Sequence, residues 1–344
     1  MSINQALAAW QPATGRELEI VPVNVPQPGP GEILVRNLAL AINPVDWILQ
    51  DSAIFPWLDY PAILGSDVAG EVAAVGSGVE RFQVGDRVLG QAVGVVTNQP
   101  AHGAFQNFTI VLENMACPIP PAMPFTEAAV LPLGLGTAAC GLFQKDHLAL
   151  RHPNVSSKPT GQTVLIWGAS SSVGCNAIQL ATAAGYECIA TASPHNRELV
   201  ERLGARQVFD HNEAGVVEAV ADALKKTVFA GALHATGNMT QSFAVVSQCE
   251  GRRFVSTTLS PPDDRPANVD TNHIFATSLK DNEVGQAVYG DFLPAALVAG
   301  TYHAVPDAQI VGHGLVALQK AFKSRNKAFQ AKRSSSTSTK GTRP

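Results

Sequence analysis

Cysteine is scarce and scattered in this 344-residue chain: Cys117, Cys140, Cys175, Cys188 and Cys249. No two of them stand in a C-x-x-C pair, so neither a disulfide framework nor a cysteine-rich zinc site is expected. Charge is sparse as well. Charged residues make up 15% and the net charge is −4, which gives no electrostatic reason to expect a nucleic acid or an anionic membrane as partner. Long apolar runs are missing, because Gly, Pro or a charge interrupts each one early. The opening MSINQALAAWQPATGRE lacks a basic start followed by an apolar core. No secretory signal is therefore expected, and the cytosol is the simplest compartment.

What is present is globular. Hydrophobic residues reach 46%, and the length suits two lobes better than one core. Up to Pro124 the chain reads as β-rich, with short β-branched runs between Gly and Pro. Glu32 to Ile42 alternates after the Pro28–Gly31 turn, and Val68 to Gly90 holds two strands around a glycine-bearing turn. Such short strands suggest a small barrel-like lobe.

From about Phe125 strands and helices alternate. Strands are expected at Thr163–Trp167, Glu187–Ala192, Gln207–Asp210 and Arg252–Leu259, with helices at Val173–Ala184, Asn196–Leu203 and Glu213–Lys226. Gly185 closes the first helix. This order implies an α/β lobe with a doubly wound parallel sheet. After Pro261 the chain reads as irregular, then helical over Gly314–Lys323. The expected domains are 1–124, 125–262 and a return to the first lobe over 263–330, with a disordered Ser/Thr/Lys-rich tail at 331–344.

The segment TVLIWGASSSVGCNAIQLATAAG, Thr163 to Gly185, resembles a dinucleotide-binding strand–turn–helix without its usual G-x-G-x-x-G. Ala169, Ser171 and Gly174 stand at the three glycine positions. The turn fits a tight connection, and it equally fits a phosphate site in which backbone N–H groups and the helix dipole face a pyrophosphate. Three serines, Ser170, Ser171 and Ser172, offer hydroxyl donors. The next strand ends in Ser193-Pro194-His195-Asn196-Arg197, where an NAD site usually carries Asp or Glu. With no carboxylate to repel a 2′-phosphate, and with a hydroxyl, an amide, an imidazole and a guanidinium to bind it, NADPH is favoured over NADH. Ser193 and Pro194 also read as an N-cap and first-turn proline. Cys175 reads as a packing residue rather than a reactive thiol.

Taken together, INPVDW (Ile42 to Trp47), ILGSDVAGEVAAVGSGVERFQVGDRV (Ile63 to Val88), LPLGLGTAACGL (Leu131 to Leu142), GASSSVG and SPHN resemble the zinc-independent medium-chain dehydrogenase/reductase family, notably its fungal trans-acting enoyl reductases. The resemblance spans residues 20–325. It implies a GroES-like catalytic lobe, a Rossmann lobe, and a cofactor between them. By resemblance Ser170, Ser171, Ser172 and Val173 contact the phosphates, and Ser193, Pro194, His195 and Asn196 hold the 2′-phosphate. His211 lies near adenosine. Val45, Asp46, Trp47, Ile48 and Thr137 lie near the nicotinamide, with Leu259 in the loop above it. Val130, Leu131, Pro132, Leu133, Gly134, Leu135, Gly136 and Thr137 line the substrate side. The implied reaction is hydride addition from NADPH to an activated C=C bond of a small or carrier-tethered enoyl substrate, with a polyketide synthase as a possible partner. Alternatives are a quinone or 2-alkenal oxidoreductase, or a non-catalytic NADPH-binding relative. Monomer and homodimer both stay open.

Zinc enzymes of the wider superfamily carry Cys in the first motif and a His-Glu pair in the second. Here the positions read Asn43-Pro44-Val45-Asp46 and Gly65-Ser66-Asp67, which supply no tetrahedral ligand set, so no metal is expected. Two further departures stand out. Ile48 replaces a lysine common in related enoyl reductases, and KSRNKAFQAKRSSSTSTKGTRP replaces the closing apolar strand. No catalytic residue is assigned; Tyr60, Thr137 and Asn43 are candidates. His102 and His147 read as surface histidines, Asp67 and Asp86 as turn-capping carboxylates. His234 stands where the family usually has Asp, at a strand end.

Overall fold

The computed structural model describes residues 5–324. They form two compact units, one of residues 5–113 with 309–324 and one of Asn114–Ala308.

The first unit is the β-rich one. Strand β1 (Gln5–Gln11) pairs antiparallel with β2 (Glu19–Asn24) and with the short β4 (Ala62–Ile63). Strand β3 (Glu32–Ala41) lies between β5 (Asp67–Val75) and β7 (Phe108–Leu112), with β6 (Arg87–Gln91) beyond β5, all antiparallel. These agree with the strands read at 32–42 and 68–90, because alternating β-branched runs bury one face of a sheet. Two helices interrupt them, α1 (Pro44–Asp51) and α2 (Gly94–Thr97). Proline at the first position of α1 loses nothing, since that N–H has no partner within a helix. The core gathers Leu49, Leu58, Leu64, Val95, Phe105 and Phe322. Phe322 comes from the segment predicted as a helix over 314–323, which is helical over 315–324 and sets its ring edge-on to Phe105 at 5.7 Å. The expected tail at 331–344, and the altered C-terminal strand region from 325 on, lie outside the described residues.

The second unit begins with the short β8 (Ala116–Pro118), α3 (Phe125–Ala128) and α4 (Pro132–Phe143). Its parallel sheet contains β9 (Gln162–Trp167), β10 (Glu187–Thr191), β11 (Ala205–Phe209), β12 (Val228–His234), β13 (Phe254–Thr257) and β14 (Asp270–His273). The spatial order is β11-β10-β9-β12-β13-β14. Helices α5 (Ser172–Ala183), α6 (Arg197–Arg202), α7 (Val216–Leu224) and α8 (Met239–Ser247) connect successive strands. Beyond them α9 (Glu283–Gly285), a π-helical turn (Gln286–Phe292) and α10 (Leu293–Val298) run on.

One expectation about the lobes differs from what is found. The stretch after Pro261, read as irregular and as a return to the first lobe, places Asp270–His273 as the edge strand of the parallel sheet, so the second unit runs on to residue 308. The polar sequence DTNH hides this strand, because an edge strand exposes one side and needs no apolar run. Phe125–Phe143 is long and apolar enough to cross a membrane by length and composition, although Glu127, Pro132 and Gly134 interrupt it as expected. It is a core segment: 67% of that window is buried within the fold, with Leu131, Leu135, Ala138 and Leu142 fully enclosed.

Candidate active site

The glycine that matters most in the turn is one place earlier than the motif suggests. Gly168 has φ +79, and a Cβ there would stand 2.5 Å from the Thr236 carbonyl oxygen. Ala169, on the first glycine position of the motif, is fully buried and needs no left-handed backbone. Gly174 is required for space. Its Cβ would meet the Gly168 oxygen at 2.5 Å and the Ala169 Cα at 2.6 Å. Ser171 caps α5, its hydroxyl donating to the Gly168 carbonyl (2.8 Å) and accepting from the Gly174 N–H (3.1 Å). Thr191 ties the turn to the next strand, its Oγ1 accepting the Gly168 N–H at 3.0 Å. With Gly174 satisfied by Ser171, the first two N–H groups of the helix, on Ser172 and Val173, have no partner within the helix. A helix N-terminus with free N–H groups and a positive dipole end suits an anionic oxygen.

Because all six strands are parallel, their C-terminal ends share one edge of the sheet. That edge collects Ser170–Val173 after β9, Ser193–Asn196 after β10, His211 after β11 and Leu259 after β13. Chain order reverses between β9 and β12, the place where open α/β sheets bind ligands. Pro194 and His195 are exposed, Ser193 and Asn196 half-buried, and Leu259 is 59% exposed. His211 has a buried Nδ1 with no hydrogen-bond partner.

The expected substrate segment opens with Val130 and Leu131 and runs into α4, and its residues divide by burial. Leu131, Pro132, Gly134, Leu135 and Gly136 are buried, whereas Val130, Leu133 and Thr137 are half-buried at helical spacing. Only these last three can offer side chains to a ligand. Gly134 faces α5 so closely that a Cβ would stand 2.3 Å from Ser172 Oγ. Thr137 spends its hydroxyl proton on the Leu133 carbonyl at 2.7 Å.

In the first unit, the Asn43 N–H donates to Asp46 Oδ2 at 2.7 Å, while its side-chain amide donates to Asp67 Oδ2 at 2.7 Å. Asp46 is enclosed, and burial pushes its carboxyl up to about 8, helped by the nearby Asp67 and opposed by the Asn43 N–H. Its side chain points into the unit, as does that of Trp47, whose buried Nε1 has no partner. Val45 and Ile48 are half-buried and pack on the core around Leu49 and Leu64. Ile48 is therefore a packing side chain. The Tyr60 hydroxyl donates to the Leu49 carbonyl at 3.0 Å, a use that holds the loop to α1.

Several side chains lie elsewhere than their sequence suggested. His102 and His147, read as surface histidines, are 3% and 2% exposed. The His102 ring lies 3.1 Å from both Glu32 and Thr97, and the His147 ring 3.3 Å from Ser256 Oγ. Their burial comes from strand and helix packing, which a lone histidine in a polar-looking stretch does not reveal. Sequence reasoning placed His234 at a strand end without giving it a role and missed Trp167; the two face each other in register across β9 and β12 just below the turn. Both are fully buried, with Trp167 Nε1 and both His234 nitrogens unpartnered. The carbonyls of His234 and Gly237 lie close to that imidazole without a well-formed hydrogen bond, and burial holds it down at about 4. Cys175 is buried, its thiol pushed up to about 12 by desolvation, as suits packing. A surface cavity of about 640 Å³, lined by Arg151, His152, Lys158 and Asp291, precedes β9 at the opposite end of the sheet.

The donors at the zinc positions of the superfamily do not fit that metal. Asn43, Ser66 and Asp67 offer one carboxylate, already held by an amide, and among the described residues no three His, Cys, Asp or Glu side chains assemble.

Fold and turn together define an oxidoreductase of two-unit dehydrogenase architecture. Residues 29–121 match the alcohol dehydrogenase GroES-like domain and residues 172–283 the zinc-binding dehydrogenase domain. The dehydrogenase azaJ of Aspergillus niger is 44% identical, covering 95% of this chain and 97% of its own. The trans-enoyl reductase himH of Aspergillus japonicus is 39% identical, covering 92% of each. Among solved structures, an alcohol dehydrogenase superfamily protein from Novosphingobium aromaticivorans matches with TM-score 0.70 and 28% identity, over 87% of this chain and 88% of that one. The chain belongs to the medium-chain dehydrogenase/reductase family.

Proposed function

We propose that this chain is an NADPH-dependent reductase of activated C=C bonds, acting in the cytosol on an enoyl thioester of a polyketide-like acyl chain. The observation that carries the reading is the sheet edge. There the first N–H groups of α5, on Ser172 and Val173, and the carboxylate-free Ser193–Asn196 loop follow the C-terminal ends of two neighbouring parallel strands. Relatives named trans-enoyl reductases support the double bond as substrate. Five free, buried thiols suit a reducing compartment.

In this reading the first turn of α5 binds the pyrophosphate, and Ser193, His195 and Asn196 bind the 2′-phosphate by hydroxyl, imidazole and amide. When bound, the dihydronicotinamide supplies the hydride for the β-carbon. Val130, Leu133 and Thr137 present an apolar, half-buried strip with a single hydroxyl, which orients an acyl chain and excludes water. Val45 and Ile48 offer aliphatic surface rather than a cation. Thr137 and Tyr60 both have their protons committed to carbonyls, so neither is poised to protonate the α-carbon, and solvent water is the proton source.

The test is a titration of the purified chain with NADPH and NADH, followed by nicotinamide fluorescence, then turnover on a crotonyl thioester, a carrier-tethered enoyl chain and a quinone. Preference for NADPH and reduction of the enoyl thioesters is the expected result. Binding without turnover on any of the three refutes the catalytic reading, and quinone-only turnover replaces the substrate class.

A further inference from the structure

Behind the first turn of α5 lies a buried polar relay that reaches 126 residues along the chain. Asn176, one turn into the helix, is fully buried, yet both ends of its amide are satisfied. Its Nδ2 donates to the Ser172 carbonyl at 2.8 Å, and its Oδ1 accepts from the Tyr302 hydroxyl at 2.6 Å. Tyr302 is itself held in place. Its ring meets Phe292 edge-on at 5.9 Å, and the neighbouring His303 backbone is gripped by Gln179, which accepts its N–H at 2.8 Å and donates to its carbonyl at 3.2 Å.

Burial keeps the phenol well above its ordinary range, so it stays a donor. A phenolic donor fixes which way the Asn176 amide faces. The oxygen must meet Tyr302, and the NH₂ must meet Ser172. The reversed amide would set oxygen against the Ser172 carbonyl.

The consequence for the turn follows from peptide geometry. The Ser172 carbonyl and the Val173 N–H belong to one planar, trans peptide unit and point in opposite directions. That carbonyl already accepts the Asn176 backbone N–H in the helical pattern. A second donor from the side chain pins the plane and polarises it, which strengthens the N–H on its far side. Gly134 of α4 packs over the same two residues, its absent Cβ leaving room at 2.3 Å from Ser172 Oγ and 3.0 Å from Asn176 Nδ2.

We propose that Tyr302 and Asn176 are a positioning pair for dinucleotide binding: the phenol orients the amide, the amide holds the Ser172–Val173 peptide plane, and that plane aims the Val173 N–H at the pyrophosphate. Neither side chain touches the ligand. The proposal rests on the nucleotide reading above and adds to it a residue far away in sequence.

The test compares two ligands by isothermal titration calorimetry: NADPH, which carries a pyrophosphate, and 2′-AMP, which has the 2′-phosphate and adenosine without one. Tyr302→Phe removes one hydroxyl and no volume. Asn176→Leu keeps a branched side chain of similar size but removes the donor to the Ser172 carbonyl, so the test survives if either variant folds. The expected result for each is NADPH affinity weakened about five- to tenfold, the size of one hydrogen bond, with 2′-AMP affinity within about twofold of the parent. Gln179→Met, which loosens the same 302–303 segment without touching Ser172, should leave the ratio of the two affinities unchanged. A purely structural role predicts equal weakening of both ligands or of neither, and either result overturns the pair. Failure of the parent chain to bind NADPH refutes the nucleotide reading itself, whereas parent binding with an unmoved ratio refutes only the pair.

Discussion

Replacing Asp46 by Asn should remove a pH dependence that the first unit owes to one carboxyl. Asp46 is 1% exposed, with its carboxyl raised from 3.8 to about 8 chiefly by burial. The folded state thus binds this proton more tightly than the unfolded state. Stability from that proton is complete at pH 3.8 and below, and it is lost as pH rises toward and through 8. Between pH 6.5 and 8 the loss integrates to about 1.5 kcal/mol, since the slope approaches 1.4 kcal/mol per pH unit and halves at the folded pKa. An amide oxygen can still accept the Asn43 N–H now held at 2.7 Å, so Asp46→Asn keeps the helix start. Three of the four tryptophans, Trp10, Trp47 and Trp57, report on the first unit. Urea unfolding followed by tryptophan fluorescence at pH 6.5 and 8 should show the parent losing about 1.5 kcal/mol in that transition and the variant much less. Parallel losses in both chains would show that Asp46 does not carry the proton.

Ser193→Asp places a carboxylate at the end of β10 and should shift the NADPH-to-NADH affinity ratio toward NADH by at least about tenfold; an unchanged ratio removes this loop from the 2′-phosphate site. Gly174→Ala forces a Cβ to within 2.5 Å of the Gly168 oxygen, backbone against backbone, and should cost about 1–3 kcal/mol while abolishing nucleotide binding. Normal NADPH titration of that variant would contradict the packing argument. Tyr60→Phe loses the bond to the Leu49 carbonyl and about 1 kcal/mol of stability, with kcat unchanged; a hundredfold drop in kcat would make Tyr60 the proton donor after all.

Local chemistry alone carried much of this protein. The alternation of apolar strands with capped helices from Thr163 onward specified a parallel sheet, because period and punctuation are properties of short segments. The small residue needed at Gly174 was also legible, since it answers to neighbours within a few residues, whereas the Ser171 cap emerged only with the structure. Likewise the missing carboxylate after β10 can be read directly. Tertiary structure alone decided the rest. The polar DTNH strand is a strand because β13 offers it an edge. His102 and His147 are buried because distant elements close over them. The left-handed backbone sits at Gly168 rather than on the motif's first glycine, and there the loop after β12 also leaves no room for a Cβ. Of the eight residues expected on the substrate side, helix packing leaves three with accessible side chains. Asn176 and Tyr302 meet only because the chain returns to α5 after 126 residues, and no local pattern records which buried amide a distant phenol will orient.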